Sequence, residues 1–173
     1  ARCPYGPRSK QEVRNCTWQR AKALEKMNVK MLVIACNTAT AVALESLQKH
    51  MPFPVLGVIN AGARAAIKET KRNEIVVLAT EGTIKSGAYE EAVKSLSTKA
   101  KVIPLACPTF VPLVESGEYE GQFSYDLVKN GLKPIENERF DTVILGCTHY
   151  PILQKQIEAA VGPDVHVLSS AQE

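Results

Sequence analysis

Long hydrophobic runs are missing from this sequence of 173 residues. The longest apolar runs, such as residues 31–36, contain about six residues, whereas a membrane-spanning helix needs roughly 20. The sequence also lacks low-complexity tracts, and its hydrophobic (45%) and charged (23%) fractions are close to the average of globular domains. We therefore expect no membrane segment, and the composition excludes a collagen-like rod and a disordered tail.

Metal-binding and disulfide motifs are also missing. The sequence contains no CxxC pair and no cluster of cysteine and histidine at the spacing of a zinc site. The cysteines are odd in number and widely spaced, which is not typical of a secreted disulfide scaffold; they are Cys3, Cys16, Cys36, Cys107 and Cys147. The sequence therefore predicts reduced thiols in a cytoplasmic protein without a bound metal.

Positive charge is concentrated near the start of the chain. The formal net charge is +3, but residues 1–30 alone hold eight Lys or Arg and two Asp or Glu, a local charge of +6. A basic segment can bind nucleic acid, yet no helix-turn-helix, zinc-finger or RRM signature accompanies it. We interpret it as the solvated face of a first helix capped by Ser9, and we do not expect a nucleic-acid partner.

Short apolar runs alternate regularly with helical patterns. The runs are too apolar for strands with one solvated face, which indicates parallel strands buried on both sides, with helical crossovers on both faces of the sheet. The predicted strands are 31–35, 55–59, 75–79, 102–106, 142–146 and 165–168, and the predicted helices are 10–28, 38–49, 62–71, 86–97, 109–131 and 151–161. The predicted fold class is α/β.

Two segments of the sequence echo each other. LVIACNT at 32–38 and VILGCTH at 143–149 both place a cysteine where an apolar strand ends and a helical segment follows. Ligands of parallel sheets bind beyond the carboxyl ends of the strands. We therefore expect two similar α/β domains that present Cys36 and Cys147 to a common cleft.

Both predicted cysteine positions favour a reactive thiolate. A helix N-terminus lowers the pKa of a nearby thiol and attracts carboxylates, so we expect both thiols to have pKa values shifted toward neutrality. Two facing thiols could form a redox disulfide, bind a metal, or act as acid and base on opposite faces of one carbon. Composition and spacing leave these three alternatives open.

Several segments together resemble the glutamate racemases of the aspartate/glutamate racemase superfamily. ACNTATA at 35–41 and LGCTHYP at 145–151 are similar to the two signature segments of that family. CPYGPR, LATEGTIKSGAYE and CPTFVPLVESGE, which begin at residues 3, 78 and 107, resemble further family segments in the same order.

The resemblance implies a cofactor-independent isomerase that interconverts L- and D-glutamate and supplies D-glutamate for peptidoglycan, the bacterial cell wall. It implies that Cys36 and Cys147 are the catalytic acid and base and that His149 assists its neighbouring thiol, with Glu115 a weaker candidate for the same support. The substrate-binding residues implied are Tyr5, Gly6, Asn37, Thr38, Thr80, Thr148 and His149. We expect Thr83 to cap the following helix, and Cys3, Cys16 and Cys107 to be structural.

The same resemblance suggests a division of the chain. Residues 1–59 would belong to the first α/β domain, 60–167 to the second, and 168–173 to a return to the first. Family members are longer and begin with a strand that ends in an Asp-Ser pair, so we expect a chain truncated at both ends, and whether it is active by itself is left open.

Other functions are retained as alternatives. One is a racemase of the same superfamily that acts on aspartate or a hydantoin. Another is a non-catalytic α/β interaction module, since some family members bind DNA gyrase; a third is a hydrolase with a cysteine nucleophile. A homodimer is a further expectation that the sequence does not decide.

Overall fold

Two parallel β-sheets form the framework of residues 4–170. The structure, a computed structural model, describes residues 4–170, so Cys3 and the end of the predicted segment 168–173 lie outside the described residues. The strands are β1 (Leu32–Ile34), β2 (Val55–Gly57), β3 (Glu74–Ala79), β4 (Lys101–Ala106), β5 (Thr142–Gly146) and β6 (His166–Ser169). All six correspond to predicted strands.

Helices follow each strand except the last described one. They are α1 (Lys10–Glu25), α2 (Asn37–His50), α3 (Ile59–Glu69), α4 (Glu81–Lys85), α5 (Ala88–Leu96), α6 (Phe110–Ser116), α7 (Gly121–Leu132) and α8 (Gln154–Val161). Short 3-10 helices occupy Lys133–Ile135 and Tyr150–Leu153. The predicted α/β alternation is therefore confirmed, and no helix within residues 4–170 is long and apolar enough to cross a membrane.

The larger sheet has four parallel strands in the order β4-β3-β5-β6. Successive side chains of a strand point to opposite faces, and in β3 both sets are buried. Ile75 and Val77 pack with α3 and α5, whereas Val76 and Leu78 pack with α6, α7 and α8. Helices thus cover both faces of this sheet, as the apolar runs predict.

The smaller sheet contains β1 and β2, which pair in parallel and place Val33 opposite Leu56. Ile34 and Val55 are buried with α1 and α2 in a separate core. On the opposite face Val33 is 56% exposed and Leu56 is 48% exposed. The expectation that the run at 31–35 is buried on both sides is therefore wrong for Val33, because the described helices cover only one face of this sheet.

The start of the first helix follows its sequence closely. The Ser9 side chain accepts a hydrogen bond from the backbone N–H of Glu12, and the Glu12 carboxylate accepts one from the backbone N–H of Ser9. This reciprocal capping box satisfies two N–H groups that a helix start leaves unpaired. The predicted cap at Ser9 is confirmed.

Two local predictions were wrong. Thr83 lies inside the short helix α4 and does not cap α5, whose N-cap is Gly87 with a left-handed φ of +69°. The single helical stretch predicted over 109–131 is two helices, α6 and α7, because Gly117 ends α6 in the left-handed region at φ +80°.

The two sheets divide the chain near the predicted domain boundary. Strands β1 and β2 precede residue 59, and the four strands of the larger sheet follow it. Ser169 still pairs with Leu145 in the larger sheet. The domain limits 1–59, 60–167 and 168–173 stay a prediction.

Candidate active site

A cavity of about 100 Å³ lies beyond the carboxyl ends of strands from both sheets. All nine residues predicted for the site line it, namely Tyr5, Gly6, Cys36, Asn37, Thr38, Thr80, Cys147, Thr148 and His149. Pro4, Val111 and Gly146 complete the lining. The structure therefore brings the predicted residues to one place, while their individual roles stay predictions.

The two thiols reach the cavity from different sheets. Cys36 follows β1 and is the N-cap residue of α2, where it is partly exposed. Cys147 follows β5 and is 8% exposed. They lie close enough for charge on Cys36 to raise the pKa of Cys147. Two thiols thus face a single small space, as the sequence echo predicts.

The pKa of Cys147 departs from the sequence-based expectation. Burial raises it to about 11, although the backbone N–H groups of His149 and Tyr150 act in the opposite direction. The expected shift toward neutrality is therefore wrong for Cys147, because removing the thiolate from water outweighs the local N–H groups. At neutral pH this residue is a thiol that holds its proton.

A histidine and a carboxylate stand beside that thiol. Nδ1 of His149 lies 3.8 Å from Sγ of Cys147, and Nε2 of His149 lies 2.6 Å from Oε1 of Glu115. If His149 is neutral, the carboxylate holds the proton on Nε2, which leaves Nδ1 as an acceptor toward the thiol. Cys147, His149 and Glu115 thus form a continuous chain from the cavity to a half-exposed carboxylate.

Three threonine hydroxyls form a buried cluster at the cavity wall. Thr38 Oγ1 lies 2.9 Å from Thr80 Oγ1 and 3.0 Å from Thr83 Oγ1, and the last two lie 3.2 Å apart. Thr38 belongs to α2. Thr80 is the N-cap residue of α4, and Thr83 lies within α4. The cluster therefore joins helices from the two sheets and places two hydroxyls on the cavity.

The loop before α1 closes another side. A Cβ added at Gly6 would lie 3.0 Å from the Cβ of Thr80, so a glycine permits this close approach. Tyr5 is buried with the guanidinium of Arg20 5.5 Å from its ring centroid. Its hydroxyl has no hydrogen-bond partner within residues 4–170.

Several residues that shape the cavity were missed by sequence reasoning. Thr83 contacts two lining hydroxyls, and its position three residues after Thr80 is a helical spacing that could have indicated contact. Tyr89 and Ser170 contact Asn37 from distant parts of the chain, and no local pattern marks them. Cys16 and Cys107, expected to be structural, are both buried.

The arrangement suits a small substrate with carboxylates. Hydroxyl and amide groups of Thr38, Asn37, Thr80 and Thr148 can donate hydrogen bonds into a space that also holds two thiols. The part of the chain that the structure describes contains no group of three or more His, Cys, Asp or Glu side chains placed to hold a metal ion.

Comparison with known proteins relates this geometry to a family. The family model for Asp/Glu/Hydantoin racemases matches residues 1–173. The chain is 81% identical to a glutamate racemase of Lysinibacillus sphaericus and 54% identical to one of Bacillus cereus, each over its full 173 residues. It spans 65% and 64% of those two relatives, respectively.

Solved structures agree with the sequence relatives. A glutamate racemase isoform from Bacillus anthracis is 47% identical, with a TM-score of 0.96 over 99% of this chain and 65% of its own. A glutamate racemase from Francisella tularensis in complex with D-glutamate is 33% identical, with a TM-score of 0.91 over 99% of this chain and 64% of its own. The chain belongs to the Asp/Glu/Hydantoin racemase family.

Proposed function

We propose that this chain carries the two-thiol active site of a glutamate racemase, which interconverts L- and D-glutamate without a cofactor. The observation that carries the proposal is the placement of Cys36 and Cys147, from two different sheets, on one small cavity. Inversion at a carbon by proton transfer needs one group on each face of that carbon. The D-glutamate formed would supply peptidoglycan synthesis.

Glutamate is the proposed substrate because of the relatives and the donors of the cavity. The Francisella tularensis structure contains D-glutamate, and a related Escherichia coli glutamate racemase structure, 30% identical, contains L-glutamate. Both enantiomers carry two carboxylates, and the amide and hydroxyl donors of Asn37, Thr38 and Thr148 match that acceptor chemistry.

The proposed proton transfers begin with one thiolate, at Cys36, and one thiol, at Cys147. A thiolate at Cys36 removes the α-proton, so the C–H bond breaks, an S–H bond forms and the electron pair stays on the α-carbon. Cys147, protonated because burial raises its pKa to about 11, then delivers its proton to the opposite face of that carbon. The enzyme ends with the thiol and the thiolate exchanged, ready for the reverse direction.

Electrostatic coupling between the two sulfurs is compatible with one of them acting as base and the other as acid. A thiolate at Cys36 raises the pKa of Cys147, so two thiolates together are disfavoured. One thiol and one thiolate is the charge state that a transfer through the α-carbon requires. The coupling therefore opposes two thiolates, and it allows the pair that holds one proton between two sulfurs.

The electron pair on the α-carbon needs stabilisation, because an α-proton is much less acidic than a thiol. Hydrogen-bond donors aimed at the substrate carboxylate spread that charge, and they act strongly in a cavity that excludes water. Asn37 and Thr38 lie in the first turn of the 14-residue helix α2. The first backbone N–H groups of a helix have no partner within it, so they add hydrogen-bond donors at the same place.

His149 is the proposed assistant of Cys147. Its Nδ1 can accept the proton of that thiol when Cys147 has to become the base, and Glu115 holds the proton on the opposite nitrogen. This route lowers the barrier that burial creates for deprotonating Cys147. Glu115 acts through His149 and is therefore a positioning residue.

Exchange of the α-proton with solvent deuterium tests the proposal. We expect this chain to introduce deuterium into L- and D-glutamate with inversion, and the variants Cys36→Ala and Cys147→Ala to lose racemisation. Each variant retains one thiol, so any remaining exchange should be confined to opposite enantiomers in the two variants. Cys16→Ser, a change at a buried cysteine outside the cavity, is the matched control.

Three outcomes would contradict the proposal. They are absence of exchange by the unaltered chain, racemisation that persists in either alanine variant, and faster exchange of aspartate than of glutamate. The last would assign the cavity to an aspartate racemase.

The remaining expectations concern assembly and location. A homodimer, a cytoplasmic location and binding to DNA gyrase stay predictions. Sedimentation of the purified chain, and a pull-down with gyrase using the double variant of Cys36 and Cys147, would test the first and the last.

A further inference from the structure

Tyr89 reaches the cavity wall from a helix that does not border it. It lies on α5, it is 1% exposed, and its hydroxyl donates a hydrogen bond of 2.7 Å to Oδ1 of Asn37. Asn37 is 2% exposed and lines the cavity. A buried phenol thus holds the amide of a proposed substrate-binding residue from behind.

The donors and acceptors around this amide define its orientation. The Tyr89 hydroxyl donates to Oδ1 of Asn37 and also has a side-chain hydrogen bond with Ser170. Nδ2 of Asn37 donates to Oγ of Ser170 at 3.3 Å, and the Ser170 hydroxyl can donate to the carbonyl of Leu145 at 3.4 Å. Reversing the amide would put Nδ2 in place of that acceptor, so the Tyr89 hydroxyl would have to accept from Asn37 and turn its proton to Ser170.

Ser170 does not decide the orientation. Its hydroxyl can donate or accept, and it also lies 3.5 Å from Oδ1 of Asn37, so it is compatible with either arrangement of the amide. The contact from Tyr89 is the shortest in the cluster. In the observed orientation Tyr89 therefore occupies the amide oxygen of Asn37.

A glycine makes room for this cluster. Gly62 lies on α3, and a Cβ added there would lie 3.1 Å from the Cβ of Ser170 and 3.3 Å from the Tyr89 hydroxyl. Any larger residue would press on both partners of Asn37. The space between α3, α5 and α2 is therefore shaped around the hydrogen bonds of the amide.

We propose that Tyr89 is a positioning residue that occupies the carbonyl oxygen of Asn37 and so presents the second N–H of its amide to a substrate carboxylate. The inference rests on the proposed function for the identity of the ligand. A reversed amide would present its oxygen to the carboxylate and repel it. Tyr89 thus fixes the polarity of this part of the wall.

The variant Tyr89→Phe keeps the ring and removes the hydroxyl. Loss of one neutral hydrogen bond is expected to raise the KM for glutamate and to lower kcat, which together reduce kcat/KM by about fivefold, because the amide contacts the carboxylate before and during proton transfer. Tyr125→Phe, a change at a partly exposed tyrosine of α7 outside the cavity, is the matched control.

A double-mutant cycle separates positioning from general packing. In an Asn37→Ala background the amide is gone, so Tyr89→Phe should have almost no further effect on KM. If the factors by which the two substitutions raise KM multiply in the double variant, the inference is overturned, because Tyr89 then acts independently of Asn37.

A second readout does not depend on turnover. The side-chain amide signals of Asn37 in an ¹⁵N NMR spectrum, assigned by their loss in Asn37→Asp, should shift in Tyr89→Phe and exchange faster with water, but not in Tyr125→Phe. Unchanged signals would overturn the inference. Shifted signals in a chain that does not exchange the α-proton of glutamate would retain the positioning of Asn37 and reject the racemase proposal.

Discussion

The imidazole of His149 is held by Glu115 through a 2.6 Å contact between Nε2 and Oε1, on the side of the ring away from Cys147. An imidazole beside Cys147 thus depends on a side chain that is itself 56% exposed. The contact crosses from α6 to the loop after β5. It links the proposed proton transfer to a residue outside the cavity lining.

Replacing Glu115 by Gln should slow racemisation without removing it. Gln keeps a hydrogen-bonding oxygen but loses the charge that fixes the proton on Nε2, and a hydrogen bond to a charged group contributes about 1.5–3 kcal/mol, so we expect kcat to fall by roughly tenfold or more. Steady-state rates with each glutamate enantiomer measure the effect. The exposed residue Glu118 provides the control variant Glu118→Gln. Equal rates for the two variants would reject a role of Glu115.

Alkylation of Cys147 should be slow at neutral pH and should accelerate steeply with alkali. The pKa of about 11 leaves little thiolate at pH 8, and only the thiolate reacts, so the rate should rise about tenfold per pH unit between pH 8 and 10. Mass spectrometry of the peptide after iodoacetamide treatment measures it. A rate that levels off below pH 9 would contradict the raised pKa.

The same experiment detects coupling between the two thiols. Charge on Cys36 contributes to the raised pKa of Cys147, so Cys36→Ser should shift the alkylation profile of Cys147 to lower pH. Cys16→Ser should leave the profile in place, because Cys16 packs in the core beside the smaller sheet. A profile unaffected by Cys36→Ser would show that the sulfurs do not interact.

Removing the hydroxyl of Thr83 should weaken substrate binding through its two neighbours. Thr83 is 1% exposed and contacts Thr38 and Thr80, which line the cavity. With Thr83→Val the hydroxyls of Thr38 and Thr80 lose a hydrogen-bond partner. Since a hydrogen bond contributes about 1 kcal/mol, we expect the KM for glutamate to rise about fivefold. Thr83→Ser keeps the hydroxyl and should restore the original KM. Equal KM values for Val and Ser would indicate a packing effect.

Asp141 should contribute to stability and not to catalysis. Its carboxylate accepts hydrogen bonds from Thr70 Oγ1 at 2.6 Å and from the backbone N–H groups of Lys71 and Arg72 at 2.7 and 2.8 Å, and it is 8% exposed. Asp141→Asn should lower the free energy of unfolding by about 2–3 kcal/mol. Urea unfolding measures the loss, and racemisation per folded molecule should not change.

Lowering the pH should remove the contribution of Asp141 to the free energy of unfolding. Burial acts to raise the pKa of Asp141, but the hydrogen bonds from Thr70, Lys71 and Arg72 outweigh it and hold the pKa below its usual value. The stabilisation is therefore complete above about pH 4, the pKa of an unfolded Asp, and disappears as the pH falls through the lower folded value. The difference between the unaltered chain and Asp141→Asn should narrow below pH 4, whereas Asp126→Asn, at an exposed site, should change stability little at any pH.

Regular parts of the fold could be predicted from sequence because their signals are local. The run at 75–79 is apolar at every position, and each of its side chains is buried against one of two helical layers. The start of α1 could be predicted from Ser9 and Glu12 for the same reason. The helix α4 was missed because its five residues, which include Gly82, are too few to show helical periodicity.

The site could be predicted only where the sequence marks it. Cys36 and Cys147 stand at strand ends that resemble each other, and the cavity lies between them. The contact of Tyr89 with Asn37 joins residues that are 52 positions apart and depends on how α5 packs beside α2. The pKa of Cys147 could not be predicted from its helix-start context, because burial is a property of the whole fold.

The residues at the two ends of strand β5 have different roles. Asp141 anchors the loop beside the amino end, and Cys147 follows the carboxyl end, about 20 Å further along the chain at the rise of a β-strand. An engineer could therefore use Asp141 to adjust how long the protein survives heating or proteolysis, leaving the sulfur chemistry untouched. Durability and turnover can be tuned separately in this molecule.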